Sequence, residues 1–267
     1  MSAAPSGQQV EGERVPNGRI VRLLRSDTAF LLPDTERALS AAGGAIANNL
    51  LAALPREDYR SLLGELEPVL LKCGEVLYQP GERIGHVYFP NDAQVSLLIV
   101  MADKALAVGL VGREGMVGIS LALGSEISSV RVLVQGSGGA LRMKAASFRD
   151  ALGRSLPLQR ELHRYANAKL VQARQIAACN RFHQVEARLA GWLLLTRERE
   201  RAEQFHFTHE FVAASLGIRR VGVTNAASAL QRRQLIRYQR GNIRILDCKG
   251  LKAASCGCYE IVANLAS

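Results

Sequence analysis

The chain is poor in aromatic side chains: seven Phe, six Tyr and one Trp make up 5% of its 267 residues. Any core must rest on Leu, Val, Ile and Ala, and the 48% hydrophobic content is enough for one. A hydrophobic run of membrane-spanning length is also missing. Val95–Ala102 stops at Asp103-Lys104 and Ala105–Gly112 is equally short, so each has strand length. No segment reads as an export signal; the expectation is a cytoplasmic protein without membrane contact. Five cysteines, at positions 73, 179, 248, 256 and 258, are an odd and scattered set, which argues against a disulfide framework. Cys256-Gly257-Cys258 has no partner pair and no histidine near it in sequence. It reads as two ordinary thiols, so no metal and no cofactor are expected. The sequence leaves open whether Cys179, Cys248, Cys256 or Cys258 senses redox state. Gly136-Ser137-Gly138-Gly139 lacks the Lys-Ser/Thr and the strand-to-helix setting of a phosphate loop and reads as a hairpin turn. Nowhere do a nucleophile, a base and an orienting group stand at informative spacing, which argues against an enzyme.

What is present falls into successive patterns. Residues 1–44 mix Ser, Gly, Pro, Ala and charges without periodicity and are expected to be a poorly structured extension. Ile46–Leu70 carries Leu50, Leu54, Leu62, Leu63 and Leu66, with a helix start at Pro55-Arg56-Glu57-Asp58, and predicts two short helices. From Leu71 to Met143 the period changes to two. Candidate strands are Glu75–Tyr78, His86–Phe89, Ala93–Met101, Ala105–Val111, Ser129–Gln135 and Ala140–Met143, separated by Gly- and Pro-containing turns. So many short strands predict a β-barrel or jelly-roll-like β-roll. A long helix follows, opened by Ser155 and Pro157. One stripe along it contains Leu158, Leu162, Tyr165, Lys169, Gln172, Ile176 and Cys179; a neighbouring one contains Ala166, Leu170, Ala173 and Ala177. One face can pack on the roll and the other can form a two-helix seam with a second copy. The seam is expected at Leu158, Leu162, Tyr165 and Ile176, although Lys169 and Gln172 interrupt it. Past Asn180-Arg181-Phe182 the pattern restarts with Val185, Leu189, Trp192 and Leu193. The expected divisions are 1–44 (extension), 45–153 (β-roll sensor), 154–180 (dimerisation helix) and 181–267 (DNA-binding domain), an α+β chain.

Thr208 to Leu246 is the most informative stretch. Thr208 can cap a helix with apolar Phe211, Val212 and Leu216, and Gly217 ends it where a tight turn is needed. In the second helix Val223, Ala227 and Leu230 share one face, while Arg220, Val221, Thr224, Asn225 and Ser228 share the other. Two β-rich runs, Leu235–Gln239 and Ile243–Asp247, are joined through Arg240-Gly241-Asn242. Helix, turn, helix and basic hairpin predict a winged helix-turn-helix on duplex DNA. The chain carries a net charge of +10, and from Arg219 to Lys249 there are eight Lys/Arg against one acid, Asp247. That local stripe is the footprint of phosphate binding.

The order of β-roll, long helix and winged helix-turn-helix resembles the Crp/Fnr superfamily of bacterial transcription regulators. The resemblance covers about residues 46–263. It rests on Gly74-Glu75-Val76-Leu77-Tyr78-Gln79-Pro80-Gly81-Glu82, His86-Val87-Tyr88-Phe89-Pro90, Val111-Gly112-Arg113-Glu114-Gly115-Met116-Val117-Gly118 and the 208–246 block. It implies a homodimer on a near-palindromic operator, a signal received by the roll, and RNA polymerase as a further partner. By position the base-reading set is Arg220, Val221, Thr224 and Asn225. Asn225 suits adenine, and Val221 can only touch a thymine methyl. Arg219, Ser228, Arg232, Arg233, Tyr238, Arg240 and Arg244 are candidate phosphate or wing contacts. The roll departs from cyclic-nucleotide-binding members: Met116 stands where a ribose-binding Glu is expected and Ser128, followed by Ser129, where a phosphate-binding Arg is expected. Cyclic AMP is therefore not the expected effector, and residues 1–44 contain no cysteine for the iron–sulfur chemistry of another branch. The competing reading is a ligand-binding regulatory subunit that keeps the helix-turn-helix for protein contacts; the basic stripe disfavours it.

Overall fold

The computed structural model describes residues 48–101, 104–200, 203–239 and 241–265; the expected extension over 1–44 and Arg240 lie outside them. Asn48 sets the first packing constraint. It is fully buried. Its Oδ1 accepts from the Leu51 amide at 3.2 Å, capping helix α1 (Asn49–Ala52), and its Nδ2 donates to the carbonyls of Pro90 and Gly115 at 2.8 and 2.9 Å. The buried amide is thus satisfied at both ends, and it ties α1 to two separate turns of the roll. Helix α2 (Arg56–Leu63) follows, with Glu57 and Asp58 in its first turn complementing the helix dipole. Both expected short helices are present, but the helical pattern ends before Leu66. Glu67–Leu71 is strand β1, because Pro68 disfavours a continued helix and is tolerated at the sheet edge, where β1 lies.

The roll is completed by β2 (Val76–Tyr78), β3 (His86–Pro90), β4 (Gln94–Met101), β5 (Lys104–Val111), β6 (Arg131–Gly136) and β7 (Gly138–Lys144). They form two antiparallel sheets in the orders β1-β7-β3 and β2-β6-β4-β5. The alternation read from the sequence is the register seen: Val95, Val132, Val134 and Met143 point inward, and with Val87 and Phe89 they fill the core. Helix α3 (Ala145–Arg154), which the sequence pattern does not separate from the roll, closes that core with Phe148 and Ala151.

Helix α4 (Leu156–Phe182) starts where Ser155 and Pro157 predict, with the Ser155 hydroxyl accepting from the Leu158 amide at 3.1 Å. Its faces correct the expected seam. Leu158 and Leu162 are each 1% exposed and belong to the core of their own roll. Tyr165 lays its ring over Gly115 and donates its hydroxyl to the Met116 carbonyl at 3.1 Å. Lys169 donates to the Leu110 carbonyl at 3.0 Å and sits 3.4 Å from Glu114 Oε1, while Gln172 is buried. The polar residues that interrupt the stripe therefore continue the roll-facing side. The side left exposed carries Leu170, Ala173 and Ala177.

At His183 the backbone turns extended and α4 ends. The remaining elements are α5 (Val185–Glu200), β8 (Gln204–His206), α6 (His209–Leu216), α7 (Arg220–Arg232), β9 (Ile236–Gln239), β10 (Asn242–Ile245), α8 (Cys248–Ala254) and α9 (Cys258–Leu265). They share a second core built on Leu189, Leu193, Val212, Leu230, Ile243 and Leu251. β8 and the last two helices are not anticipated by the sequence pattern. Among the described residues no helix is long and apolar enough to cross a membrane.

A Cβ on Gly115 would overlap the Tyr165 ring. Gly115→Ala is expected to destabilise the chain by about 1–3 kcal/mol through overpacking. Gly115→Ala combined with Tyr165→Leu should recover part of the loss. Urea denaturation of the three proteins measures this; a Gly115→Ala midpoint equal to that of the parent would mean that α4 is not seated as described.

Candidate nucleic-acid interface

Helix α6 begins as the sequence requires. The Thr208 hydroxyl accepts from the Phe211 amide at 3.2 Å. It ends at Gly217, whose φ of 62° and ψ of 38° lie in the left-handed region that glycine enters without strain. The Ile218 amide then bonds back to the Ala213 carbonyl at 3.0 Å, closing the turn. Arg219 caps α7 without a side-chain hydrogen bond, so two arginines and the positive end of the helix dipole coincide.

Val223, Ala226, Ala227 and Leu230 bury one face of α7. The small alanines allow α7 to lie close against α5. On the opposite face Arg220, Val221, Thr224, Asn225 and Ser228 are exposed, Val221 at 61%. The structure thus places all four expected base-reading residues and Ser228 on one solvent-facing stripe. Two of the cations are engaged within the chain: Arg220 pairs with Glu210 at 2.8 Å and Arg233 with Glu186 at 2.7 Å. Both pairs are surface pairs of about 0–1 kcal/mol, weak enough to exchange for phosphate. Arg219, Arg232 and Arg244 are exposed.

The wing is a three-stranded antiparallel sheet in the order β8-β10-β9. Gly241, at φ 84°, makes the hairpin turn. Ile236 and Ile245 face inward and Arg237 stands directly across from Arg244, both exposed. Arg237 is absent from the residues expected from the sequence; the alternation that places Arg244 outward, carried across the hairpin, would have found it. Two like charges directly opposed on a sheet are unfavourable unless an anion lies between or over them. Tyr238, expected among the phosphate or wing contacts, also has partners within the chain. Its ring stacks on His209 at 4.4 Å, and its amide donates to the Gln231 side chain at 2.8 Å, joining wing to helix α7.

His209 is the hinge of this surface. Its Nδ1 lies 3.0 Å from the Thr224 hydroxyl, and its Nε2 is buried without a hydrogen-bond partner among the described residues. Burial, and then the Arg220 charge, hold the imidazole below its ordinary value. A depressed histidine pKa means that the unfolded chain takes up the proton more readily. The associated stability is present above about pH 6.5 and is lost as pH falls below it toward the folded value. His209→Phe, which keeps the stacking, is expected to flatten that part of the stability profile when denaturation midpoints are compared at about pH 7.5 and about pH 5. A profile of unchanged slope would remove His209 as its source.

The residues expected to line a sensor pocket do not converge. Met116 is 1% exposed within the roll core. Ser128 is buried with its hydroxyl donating to the Val130 carbonyl at 2.7 Å, and Ser129 is exposed. A cavity of about 130 Å³ lies elsewhere, where the roll, α4 and the DNA-binding domain meet; Ser96, Gly109, Gln172, Ile176, Trp192 and Phe211 are among its walls. Ile176, expected in the seam, therefore faces this cavity.

Comparison with known proteins agrees with the geometry. Residues 187–254 match the Crp-like helix-turn-helix domain model. Among solved structures, a Crp/Fnr-family protein from Eubacterium rectale is 18% identical with a TM-score of 0.64, covering 78% of this chain and 98% of that one. FixK2 from Bradyrhizobium japonicum is 15% identical at TM-score 0.64, covering 72% and 98%. A Crp/Fnr-family transcriptional regulator from Thermus thermophilus is 24% identical at TM-score 0.59, covering 71% and 98%. Comparison with curated proteins gives no match. Residues 187–254 are a Crp-like helix-turn-helix domain, and the chain that carries them has the fold of the Crp/Fnr transcriptional regulators.

Proposed function

We propose that this protein is a sequence-specific transcription regulator that binds duplex DNA as a homodimer. The observation that carries the reading is the stripe Arg220, Val221, Thr224, Asn225 and Ser228, exposed on the second helix of a helix-turn-helix whose other face is fully packed. An exposed row of donors, acceptors and one wholly apolar side chain at helical spacing suits base edges in a major groove. Arg237 and Arg244 flank it as a cationic pair suited to phosphate. Met116 and Ser128 offer neither a carboxylate nor a guanidinium to a cyclic phosphodiester, so the proposal assigns no cyclic nucleotide to the roll.

The DNA reading divides labour between groove and backbone. Asn225→Ala is expected to cost about 1–3 kcal/mol per half-site on an adenine-containing operator and to relax preference at that base pair. Arg237→Ala and Arg244→Ala should weaken all sequences alike and reduce the salt slope by about one for each phosphate left without its arginine. Selection from a random DNA pool followed by anisotropy titration separates the two classes. Equal losses on specific and random DNA for Asn225→Ala would take α7 out of the groove.

For assembly, the second copy is assigned to the face of α4 that its own roll leaves open. Leu170 is 48% exposed there, beside exposed Ala173 and Ala177. Small residues at this spacing let a second helix approach closely. The operator half-sites then lie about 34–36 Å apart, one turn of duplex. Leu170→Glu is expected to yield a folded monomer by light scattering, with near-palindromic DNA bound far more weakly. A Leu170→Glu protein that stays dimeric would place the interface elsewhere.

A further inference from the structure

Folding brings together two pairs of side chains that the sequence holds far apart. Cys179 and His183 stand one turn apart at the C-terminal end of α4. His183 closes that helix, with extended backbone and its amide bonded to the Cys179 carbonyl at 3.1 Å. Cys256 and Cys258 flank Gly257 in the turn from α8 to α9. Cys179 Sγ lies 3.6 Å from Cys256 Sγ, and Cys258 Sγ lies 3.3 Å from His183 Nδ1. The four potential ligand atoms all fall within 4.8 Å of one another. The sequence reading of Cys256-Gly257-Cys258 as a thiol pair without a histidine is corrected by this: the histidine comes from the end of another helix.

The dimensions decide what such a group can hold. A tetrahedral zinc ion with Zn–S of about 2.3 Å and Zn–N of about 2.0 Å sets its ligands about 3.6–3.8 Å apart. The Cys179–Cys256 and Cys258–His183 contacts match that edge within a few tenths of an ångström. A binuclear iron–sulfur cluster holds ligands on two separate irons and needs a wider set. A single disulfide between Cys179 and Cys256 would leave Cys258 and His183 without a role. Three thiols and an imidazole are soft donors that favour zinc over magnesium or calcium. Gln175 supplies an outer contact, its Nε2 donating to Cys258 Sγ at 2.9 Å, the kind of bond that steadies a thiolate ligand.

We propose that Cys179, His183, Cys256 and Cys258 form a structural Zn²⁺ site that staples the C-terminal helices to the end of the long helix. On binding, each of the three thiols releases its proton to solvent, and the neutral imidazole ligates through Nδ1 while Nε2 keeps its proton. The ion then joins the last turn of α4 to the α8–α9 turn, on either side of the break at His183. It fixes the angle at which the DNA-binding domain leaves the helix, so it acts on the geometry of the whole chain rather than on a base contact.

The test uses the full chain, reduced with a phosphine and freed of metal, then titrated with Co²⁺ and back-titrated with Zn²⁺. One Co²⁺ per chain is expected, with the intense visible absorption of a tetrahedral thiolate complex, bleached by one equivalent of Zn²⁺. Cys179→Ser and Cys258→Ser should lose that spectrum. His183→Ala changes an exposed residue at a helix end and should retain the parent circular dichroism, yet bind metal more weakly. Gln175→Ala should weaken binding by about 10–100-fold. No cobalt uptake, a weak octahedral spectrum, two metals per chain, or unchanged affinity in His183→Ala and Gln175→Ala would each overturn the site. None of these readouts involves DNA, so the outcome is independent of the regulatory reading.

Discussion

A tyrosine ring lying over a glycine seats the long helix on the roll, and the rest of the chain is arranged around that seat. Tyr165 can occupy it only because Gly115 has no side chain, and its hydroxyl is satisfied by the next carbonyl, at Met116. The same turn accepts the Asn48 amide from its other side, so α1 and α4 clamp one short segment between them. One turn further along, Lys169 reaches Leu110 and Glu114. Glu114 is nearly buried, so this ion pair is held at low dielectric and by an extra carbonyl bond rather than left to solvent. The long helix takes its position on the roll from this row of contacts.

The DNA-binding surface rests on a different balance. Its helix is anchored by small and aliphatic residues and bordered by ion pairs that break easily. Arg220 and Arg233 are held by Glu210 and Glu186 in the free protein. Those carboxylates hold the guanidinium groups in place near the stripe without a large desolvation cost, and they add local negative charge beside it. The opposed Arg237 and Arg244 work the other way, because their repulsion is relieved when an anion arrives.

Local signals are legible in the residues and long-range ones are not. Thr208 and Ser155 announce helix starts because a cap is a contact within three residues. Gly217 announces a turn because the left-handed backbone is a property of one residue. Strand alternation likewise recovers the roll, and the α7 stripe follows from helical period alone. Periodicity groups residues on a face but does not say what the face meets. Leu158 and Leu162 therefore read as a seam with a second copy when their partner is the roll of the same chain, and the polar Lys169 and Gln172 are the clue. Pro68 is hidden in a leucine-rich run whose helical period carries on past the helix end. The meeting of Cys179 and His183 with Cys256 and Cys258 depends on the path of α5 through α8, which no spacing rule encodes.

Gly217 has a second neighbour besides its own turn: Leu106 of strand β5, whose methyl would lie 2.8 Å from any Cβ placed there. The helix-turn-helix therefore touches the roll directly at its turn, with no need of the long helix as go-between. Domains joined only by a linker can be exchanged between proteins like parts on a common thread. Here the two halves meet at the turn itself, and a helix-turn-helix with a side chain at that position would have to push the tip of Leu106 aside as well as hold a left-handed backbone.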